Sequence, residues 1–279
     1  MTTILDVITK GTAYLAGRGI DEARLNMEHL VARALACRRL DLYVRFDEPM
    51  AEEVLAGLRS ALQERGKGVP LQHLLGEVEF FREKFRVDGR ALIPRPETEE
   101  LVDLLLKEDF PRPTRLLDLG CGSGVIGLSL AKTLGGDCAE LVLADVSPDA
   151  LALARENAGA LGVSARFVES DLFSALDGSF DLVVANLPYV PESDRETLAP
   201  ELAHDPALAL FGGADGLDLI RRFAATVGPF LAPGALVALE VGHDQGAESL
   251  RLLEEGGLAG LRIAEDLSGI ARFPLARGV

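Results

Sequence analysis

Cysteine is scarce in this chain, with three in 279 residues. Cys37, Cys121 and Cys138 form no CxxC pair and no even framework, which excludes a disulfide scaffold and fits a reducing compartment. Positive charge is also short. Lys and Arg number 28 against 44 Asp and Glu, for a net charge of -16. A chain without a basic face is poorly suited to neutralise a nucleic-acid backbone, so no direct nucleic-acid partner is expected. Long apolar runs are missing, and none approaches the roughly 18 residues of a spanning helix. Met1 to Lys10 holds no basic stretch followed by an apolar core, so no secretory signal is expected there. The four histidines, His29, His73, His204 and His243, lie far apart and share no short motif with Cys or Asp, which argues against a metal. A G-x-S-x-G nucleophile elbow is absent, as are internal repeats and low-complexity tracts. What remains is a cytoplasmic globular protein of ordinary composition, 48% apolar and 26% charged, long enough for one large or two modest domains.

The chain opens with helical patterning. Met27, Leu30, Val31, Ala34 and Leu35 recur at i, i+3, i+4, i+7 and i+8, and Val54, Leu55, Leu58, Ala61 and Leu62 repeat the pattern. Residues 1–70 are therefore expected to form a helical module, closed by Gly66-Lys67-Gly68-Val69-Pro70. Residues 71–96 change character. Val78-Glu79-Phe80-Phe81 and Lys84-Phe85-Arg86-Val87 alternate about Arg82-Glu83, which predicts a hairpin within a linker. Pro94 and Pro96 hold the next stretch extended, and Glu97 to Glu100 open a helix carrying Leu101, Val102, Leu104 and Leu105. From residue 111 the chain alternates. Strands are expected at 115–119, 141–145, 165–169, 180–185 and 235–241, and helices at 124–134, 148–160 and 215–231. Leu261 to Ala264 and Ile270 to Leu275 supply two further strands. Over residues 97–279 this implies an α/β domain, a mostly parallel seven-stranded sheet with helices on both faces.

Asp118-Leu119-Gly120-Cys121-Gly122-Ser123-Gly124 joins the first of those strands to its helix. Three glycines let the backbone approach a ligand without interference from Cβ atoms. Gly122 to Gly127 even satisfies GxGxxG, so a dinucleotide has to be weighed. Asp118 suits a positively charged ligand group better than a pyrophosphate, and the helix start carries no Lys or Arg for phosphate. Cys121 has no base beside it and reads as a small loop residue. Asp145 ends the next strand ahead of Ser147-Pro148, where a carboxylate accepts two hydrogen bonds from ribose hydroxyls. NAD and S-adenosylmethionine both offer those hydroxyls, so Asp145 does not separate them. At the third strand end, Asp171 is placed to accept from an adenine amino group with Leu172 against the ring. A helix cap by Ser170 or Asp171 is an equal reading.

Asn186-Leu187-Pro188-Tyr189 follows the fourth strand. An amide or exocyclic amine nitrogen is a poor nucleophile until its plane is oriented and its two N–H groups are held. The side-chain oxygen of Asn186 and the carbonyl of Leu187 can accept those two hydrogen bonds. Pro188 fixes the backbone, and Tyr189 offers a flat face for a planar amide or base. With a sulfonium methyl donor the protein mainly supplies alignment in a dry pocket, and no general base is obligatory.

Together the glycine loop, Asp145 and the Asn-x-Pro-Tyr loop resemble class I S-adenosylmethionine-dependent amino-methyltransferases. More narrowly, four stretches are similar to the peptide chain release factor glutamine N5-methyltransferases, the HemK/PrmC family. They are Pro70 to Gly76 with Glu79-Phe80-Phe81, Leu92 to Glu99, Leu208 to Asp218, and Glu240 to Gly246 with Asp266 to Gly269. The likeness runs from about residue 70 to the C-terminus. It implies a Rossmann-like class I methyltransferase domain behind a small helical domain that contacts the release factor. It also implies methylation of the glutamine in the Gly-Gly-Gln motif of class I release factors, leaving S-adenosylhomocysteine; a cytoplasmic monomer with no membrane partner is expected. By match, Asp118, Gly120, Cys121, Gly122, Ser123 and Gly124 line the methionine and ribose end of the cofactor. Asp145 holds the ribose, Asp171 and Leu172 lie near the adenine, Asn186 also belongs to the cofactor-binding set, and Asn186, Leu187, Pro188 and Tyr189 grip the glutamine. The Phe80-Phe81 hairpin and Pro94 to Glu99 are expected to cover the pocket. Two places depart from the pattern: the family's usual loop is Asn-Pro-Pro-Tyr, and Leu187 stands second here, and Gly269-Ile270-Ala271-Arg272 stands where the family often has a more polar turn. Asn-Leu-Pro-Tyr is familiar from ribosomal RNA adenine dimethyltransferases, so a nucleic-acid adenine methyltransferase is the alternative enzyme. A non-catalytic nucleotide-binding module is the alternative outside enzymes.

Overall fold

The computed structural model describes residues 2–198 and 200–279. The chain divides into two compact units, Met1–Glu77 with Ala199–His204, and Val78–Leu198 with Asp205–Val279.

In the first unit, α1 (Ile4–Ala16) starts at a capping box, in which Thr3 and Asp6 each accept the other's backbone N–H. It is followed by α2 (Ala23–Ala34), a 3-10 turn at Arg39–Val44, α3 (Glu52–Arg65) and α4 (Leu71–Leu75). Ile4, Ile8, Met27, Leu30, Val31, Leu42, Leu55 and Leu58 form one apolar core. The expected stripe on α2 is buried at Met27, Leu30 and Val31 but emerges at Ala34, where the helix ends. Arg65 is buried and donates to Asn26 Oδ1 (2.6 Å) and the Val69 carbonyl (3.1 Å), and it pairs with Glu201.

The second unit begins with a hairpin, β1 (Glu77–Phe80) and β2 (Glu83–Arg86), turned at Phe81 and Arg82 with φ of +47° and +67°. Positive φ at both turn residues matches the right-handed twist of paired strands. Then follow α5 (Pro96–Leu106), β3 (Thr114–Leu119), α6 (Val125–Leu134), β4 (Cys138–Asp145), α7 (Pro148–Leu161), β5 (Arg166–Glu169) and β6 (Phe180–Asn186). The chain continues through α8 (Asp218–Thr226), β7 (Leu231–Glu240), α9 (Gly246–Glu255), β8 (Ala259–Glu265) and β9 (Ala271–Arg277). The seven-stranded sheet has the order β5-β4-β3-β6-β7-β9-β8, parallel throughout except for β9, which runs antiparallel to both neighbours. This is the mostly parallel α/β sheet expected from the alternation of the sequence. Side chains alternate across it. Leu116, Leu143, Leu182 and Val184 face the layer of α5, α6 and α7, while Leu117, Val142, Val183 and Val237 face α8 and α9.

Two expectations need correction. The helix expected at 215–231 is shorter, because its apolar spacing runs on through Gly228-Pro229. Proline lacks the N–H that a continuing helix needs, so the chain makes a 3-10 turn at Gly228–Phe230 and enters β7 at Leu231. Helix α9 has no counterpart among the expected elements. Its buried face includes Gly246 and Ser249 beside Leu252 and Leu253, so its hydrophobic period is thin. No helix among the described residues is long and apolar enough to cross a membrane.

Candidate active site

From β3 the chain winds outward through β4 to β5, then returns to β6 and β7 on the other side of β3. Strand order therefore reverses between β3 and β6, and their carboxyl ends lie side by side, with Leu119 opposite Ala185. Such a reversal opens a crevice where α/β proteins bind ligands. The glycine loop leaves one of these strand ends and the asparagine loop leaves the other. Gly120 has φ +70°, and a Cβ there would lie 3.0 Å from Leu187 Cδ2, so the two loops touch at a point only glycine fits well.

A cavity of about 380 Å³ sits over these ends. Gly120, Cys121, Gly122 and Ser123 form one wall, Asp145, Asp171 and Leu172 a second, and Asn186, Leu187 and Pro188 a third. The structure thus brings together ten of the residues singled out from sequence. Asp118, Gly124 and Tyr189 stand outside that lining. Asp118 lies beneath the loop, fully buried, its Oδ2 accepting the Gly127 N–H at 2.8 Å and its Oδ1 without a partner among the described residues. Burial lifts its pKa to about 7, opposed by the Gly127 bond and helped by the charge on Asp145. Tyr189 is half-buried; its carbonyl accepts from Gln245 Nε2 at 2.9 Å, and burial raises its hydroxyl pKa.

Asp145 is aimed by its neighbours. One oxygen accepts the Gly122 N–H (2.8 Å) and the other the Ser147 N–H (2.9 Å), which leaves further lone pairs on both. Burial raises its pKa, and these backbone bonds oppose the rise. Cys121 is buried on the wall, and burial followed by the charges of Asp118 and Asp145 drives its thiol pKa well up, which makes it inert. Leu172 is held at φ +49°, a strained conformation for a branched side chain on a binding wall. Ser170 stabilises that turn: its hydroxyl donates to the Leu172 carbonyl (2.7 Å) and accepts the Ala175 N–H (3.0 Å).

Three arginines also line the cavity, and each is paired: Arg90 with Asp88 and Glu156, Arg95 with Asp205, and Arg222 with Asp171. Their charge is already neutralised, so the wall suits an uncharged sugar and base, with the sugar hydroxyls at Asp145, better than a pyrophosphate. The glycine cradle and the aimed Asp145 fit S-adenosylmethionine on that ground.

Pro94, Arg95 and Thr98 are on the lining as expected, but the hairpin is not. Phe80 packs edge-on to Phe85 inside the core, with ring centroids 5.9 Å apart. The hairpin acts from behind: Asn157 accepts the Arg86 N–H (2.7 Å) and donates to the Ser123 carbonyl (2.9 Å), tying β2 to the glycine loop. Sequence reasoning assigns no individual role to Thr98, Arg222 or Glu240. Thr98 Oγ1 accepts from Asn186 Nδ2 at 3.4 Å, and Glu240, at the end of β7, stands in register with Asn186. These contacts join distant segments, and no local motif announces them.

A family profile described as the PrmC N-terminal domain matches residues 6–76, and one described as the methyltransferase small domain matches residues 97–213. The chain is 40% identical to the release factor glutamine methyltransferase of Geobacter sulfurreducens, over 97% of this chain and 95% of that one. It is 38% identical to the release factor glutamine methyltransferase of Deinococcus radiodurans, over 98% and 97%. Among solved structures, it is similar in fold to the 16S rRNA N2 G1207 methyltransferase of Thermus thermophilus in complex with AdoMet and guanosine. That likeness has a TM-score of 0.51 at 20% identity and covers 73% of this chain and 50% of that one.

Proposed function

The chain belongs to the release factor glutamine methyltransferase family, and from that premise we propose that it methylates the side-chain amide nitrogen of the Gly-Gly-Gln glutamine in class I peptide chain release factors. The cofactor in this reading is S-adenosylmethionine, which when bound supplies an electrophilic methyl on a sulfonium and leaves as S-adenosylhomocysteine. Asp145 holds the ribose hydroxyls. Gly120 to Ser123 pass the methionine end over the glycine cradle, with Asp118 and Gly124 shaping the loop from outside the lining. Leu172 packs on the adenine, and Asp171 lies at its edge.

The observation that carries the reading is the place of Asn186. Asn186 lines the cavity at the end of β6, next to the glycine loop. Its Oδ1 and the Leu187 carbonyl accept the two substrate N–H groups and turn the nitrogen's lone pair toward the donor. With the cofactor bound, the oriented nitrogen would take the methyl as the carbon–sulfur bond breaks, and the alkylated amide nitrogen would return to neutrality by giving one proton to water. Pro188 stiffens this grip and Tyr189 flanks it.

We further propose that residues 1–70 recognise the release factor, that 71–96 link, and that 97–279 carry out transfer. The enzyme works as a cytoplasmic monomer without nucleic acid or membrane. The test is transfer of labelled methyl to three acceptors: an intact class I release factor, the same factor with its Gly-Gly-Gln glutamine changed to alanine, and ribosomal RNA. Label on the first alone supports the reading, and label on RNA replaces it with the adenine-methylating alternative that Leu187 suggests.

A further inference from the structure

We propose that Glu240 is a positioning residue, which through Thr98 and the Asn186 amide sets which end of that amide faces the substrate. The proposal rests on the glutamine-methylating reading of the site. Glu240 ends β7 directly opposite Asn186 at the end of β6. It is 2% exposed, and its Oε2 is buried with no hydrogen-bond partner among the described residues. A bare carboxyl oxygen in the interior costs free energy, and it lies beside the residue on which substrate binding turns.

Asn186 Nδ2 donates to Thr98 Oγ1, and Thr98 and Asn186 both hold the Glu240 carboxyl pKa down against burial. An ionised carboxylate only accepts. It therefore selects the NH2 end of Asn186 for itself and Thr98, and Oδ1 is left for the cavity. Oδ1 is the acceptor that a substrate amide N–H requires. A protonated carboxyl can donate instead and so admits the flipped amide, which would set an NH2 group against the substrate's own NH2.

The charged and titratable groups facing Glu240 are Glu97 on α5, Tyr189 in the loop after β6, and Arg272 on β9, itself paired with Asp266. Burial outweighs the lowering effects of Thr98, Arg272 and Asn186, Glu97 adds to it, and the carboxyl pKa is pushed up to about 7. Its change from donor to acceptor therefore falls near neutral pH.

The experiment compares wild type, Glu240→Gln and Glu240→Ala as full-length chains. It measures kcat and KM with an intact release factor from pH 5.5 to 9, and S-adenosylmethionine affinity by calorimetry. Wild-type kcat should rise with pH through about 7 and then level off. Glu240→Gln keeps the volume and an acceptor but does not titrate, so its kcat should stay within about tenfold of the wild-type plateau and lose that rise. Glu240→Ala should lose about a hundredfold in kcat, the scale of a misoriented reactant, with cofactor affinity within about twofold. Alanine turning over at nearly the wild-type rate, glutamine retaining the wild-type rise, or a matching loss of cofactor affinity overturns the role of Glu240. Failure of the wild type itself to methylate the factor, with cofactor bound normally, overturns the underlying reading of the site and this inference with it.

Discussion

At the scale of the residue, Asn186 and Asp145 divide the work, and the division is measurable. Asn186→Ala removes the substrate's acceptor while leaving the ribose and adenine contacts of the cofactor reading in place. Turnover should fall at least about a hundredfold while calorimetry finds S-adenosylmethionine affinity within about twofold. A non-catalytic nucleotide-binding module predicts no functional loss from that change. Asp145→Ala should act the other way. It removes the ribose acceptor and frees the Gly122 and Ser147 N–H groups, so cofactor affinity should weaken about tenfold or more, or roughly 1.4 kcal/mol upward. Unchanged affinity would remove Asp145 from the cofactor site. Asp118 offers a pH signature. Its folded pKa of about 7 lies above its ordinary 3.8, so between those values the folded chain binds the extra proton. Its contribution to stability is therefore full below about 3.8 and declines as pH rises through about 7. Relative to Asp118→Asn, the wild type should lose on the order of 1–3 kcal/mol between pH 4 and pH 8 in denaturant titrations. A constant difference would mean that the buried carboxyl does not titrate there. Asp145 and Asn186 are legible in the sequence because each sits at the end of an apolar run. Asp118 reads there as a ligand-facing acid, whereas the structure puts that carboxyl under the loop on the Gly127 N–H, a contact with its own helix start.

At the scale of the element, the site depends on how closely α6 lies on the sheet. Gly127 is inside α6, and a Cβ there would stand 2.6 Å from Leu143 Cδ2 and 2.9 Å from Asp118 Cβ. Helix propensity favours alanine over glycine by about 1 kcal/mol, but overpacking of this kind costs about 1–3 kcal/mol. Gly127→Ala should therefore destabilise the chain in urea titrations and weaken cofactor binding, because the glycine loop moves with the helix. A stabilised variant would show that the packing yields. The strands and helices from β3 to β6 are readable because strand and helix periods alternate cleanly there. Helix α9 is hidden by Gly246 and Ser249 on its buried face, and α8 looks longer than it is because its apolar spacing continues past the point where Pro229 ends it. The hairpin is recognisable as an element, but its place in the sequence does not disclose what it does. Its phenylalanines fill the core, and its link to the site runs through Asn157.

At the scale of the whole molecule, sequence and structure agree on a mostly parallel seven-stranded sheet with both loops at carboxyl ends of strands, and the structure adds that the glycine and asparagine loops lie side by side at its reversal point. The parts of the site that escape sequence reading, Thr98, Arg222 and Glu240, come from other elements and meet the loops only in the folded chain. Net charge speaks to the choice of substrate. At -16, the chain should not gain activity from added RNA, and moderate salt should not abolish turnover as it would for an enzyme held by phosphate contacts. The most direct test of the central claim locates the new methyl group. After incubation with S-adenosylmethionine, the Gly-Gly-Gln peptide of a class I release factor should carry one added methyl on the glutamine side-chain nitrogen by fragmentation mass spectrometry. A methyl on any other residue, or on RNA with the peptide unmodified, would contradict it.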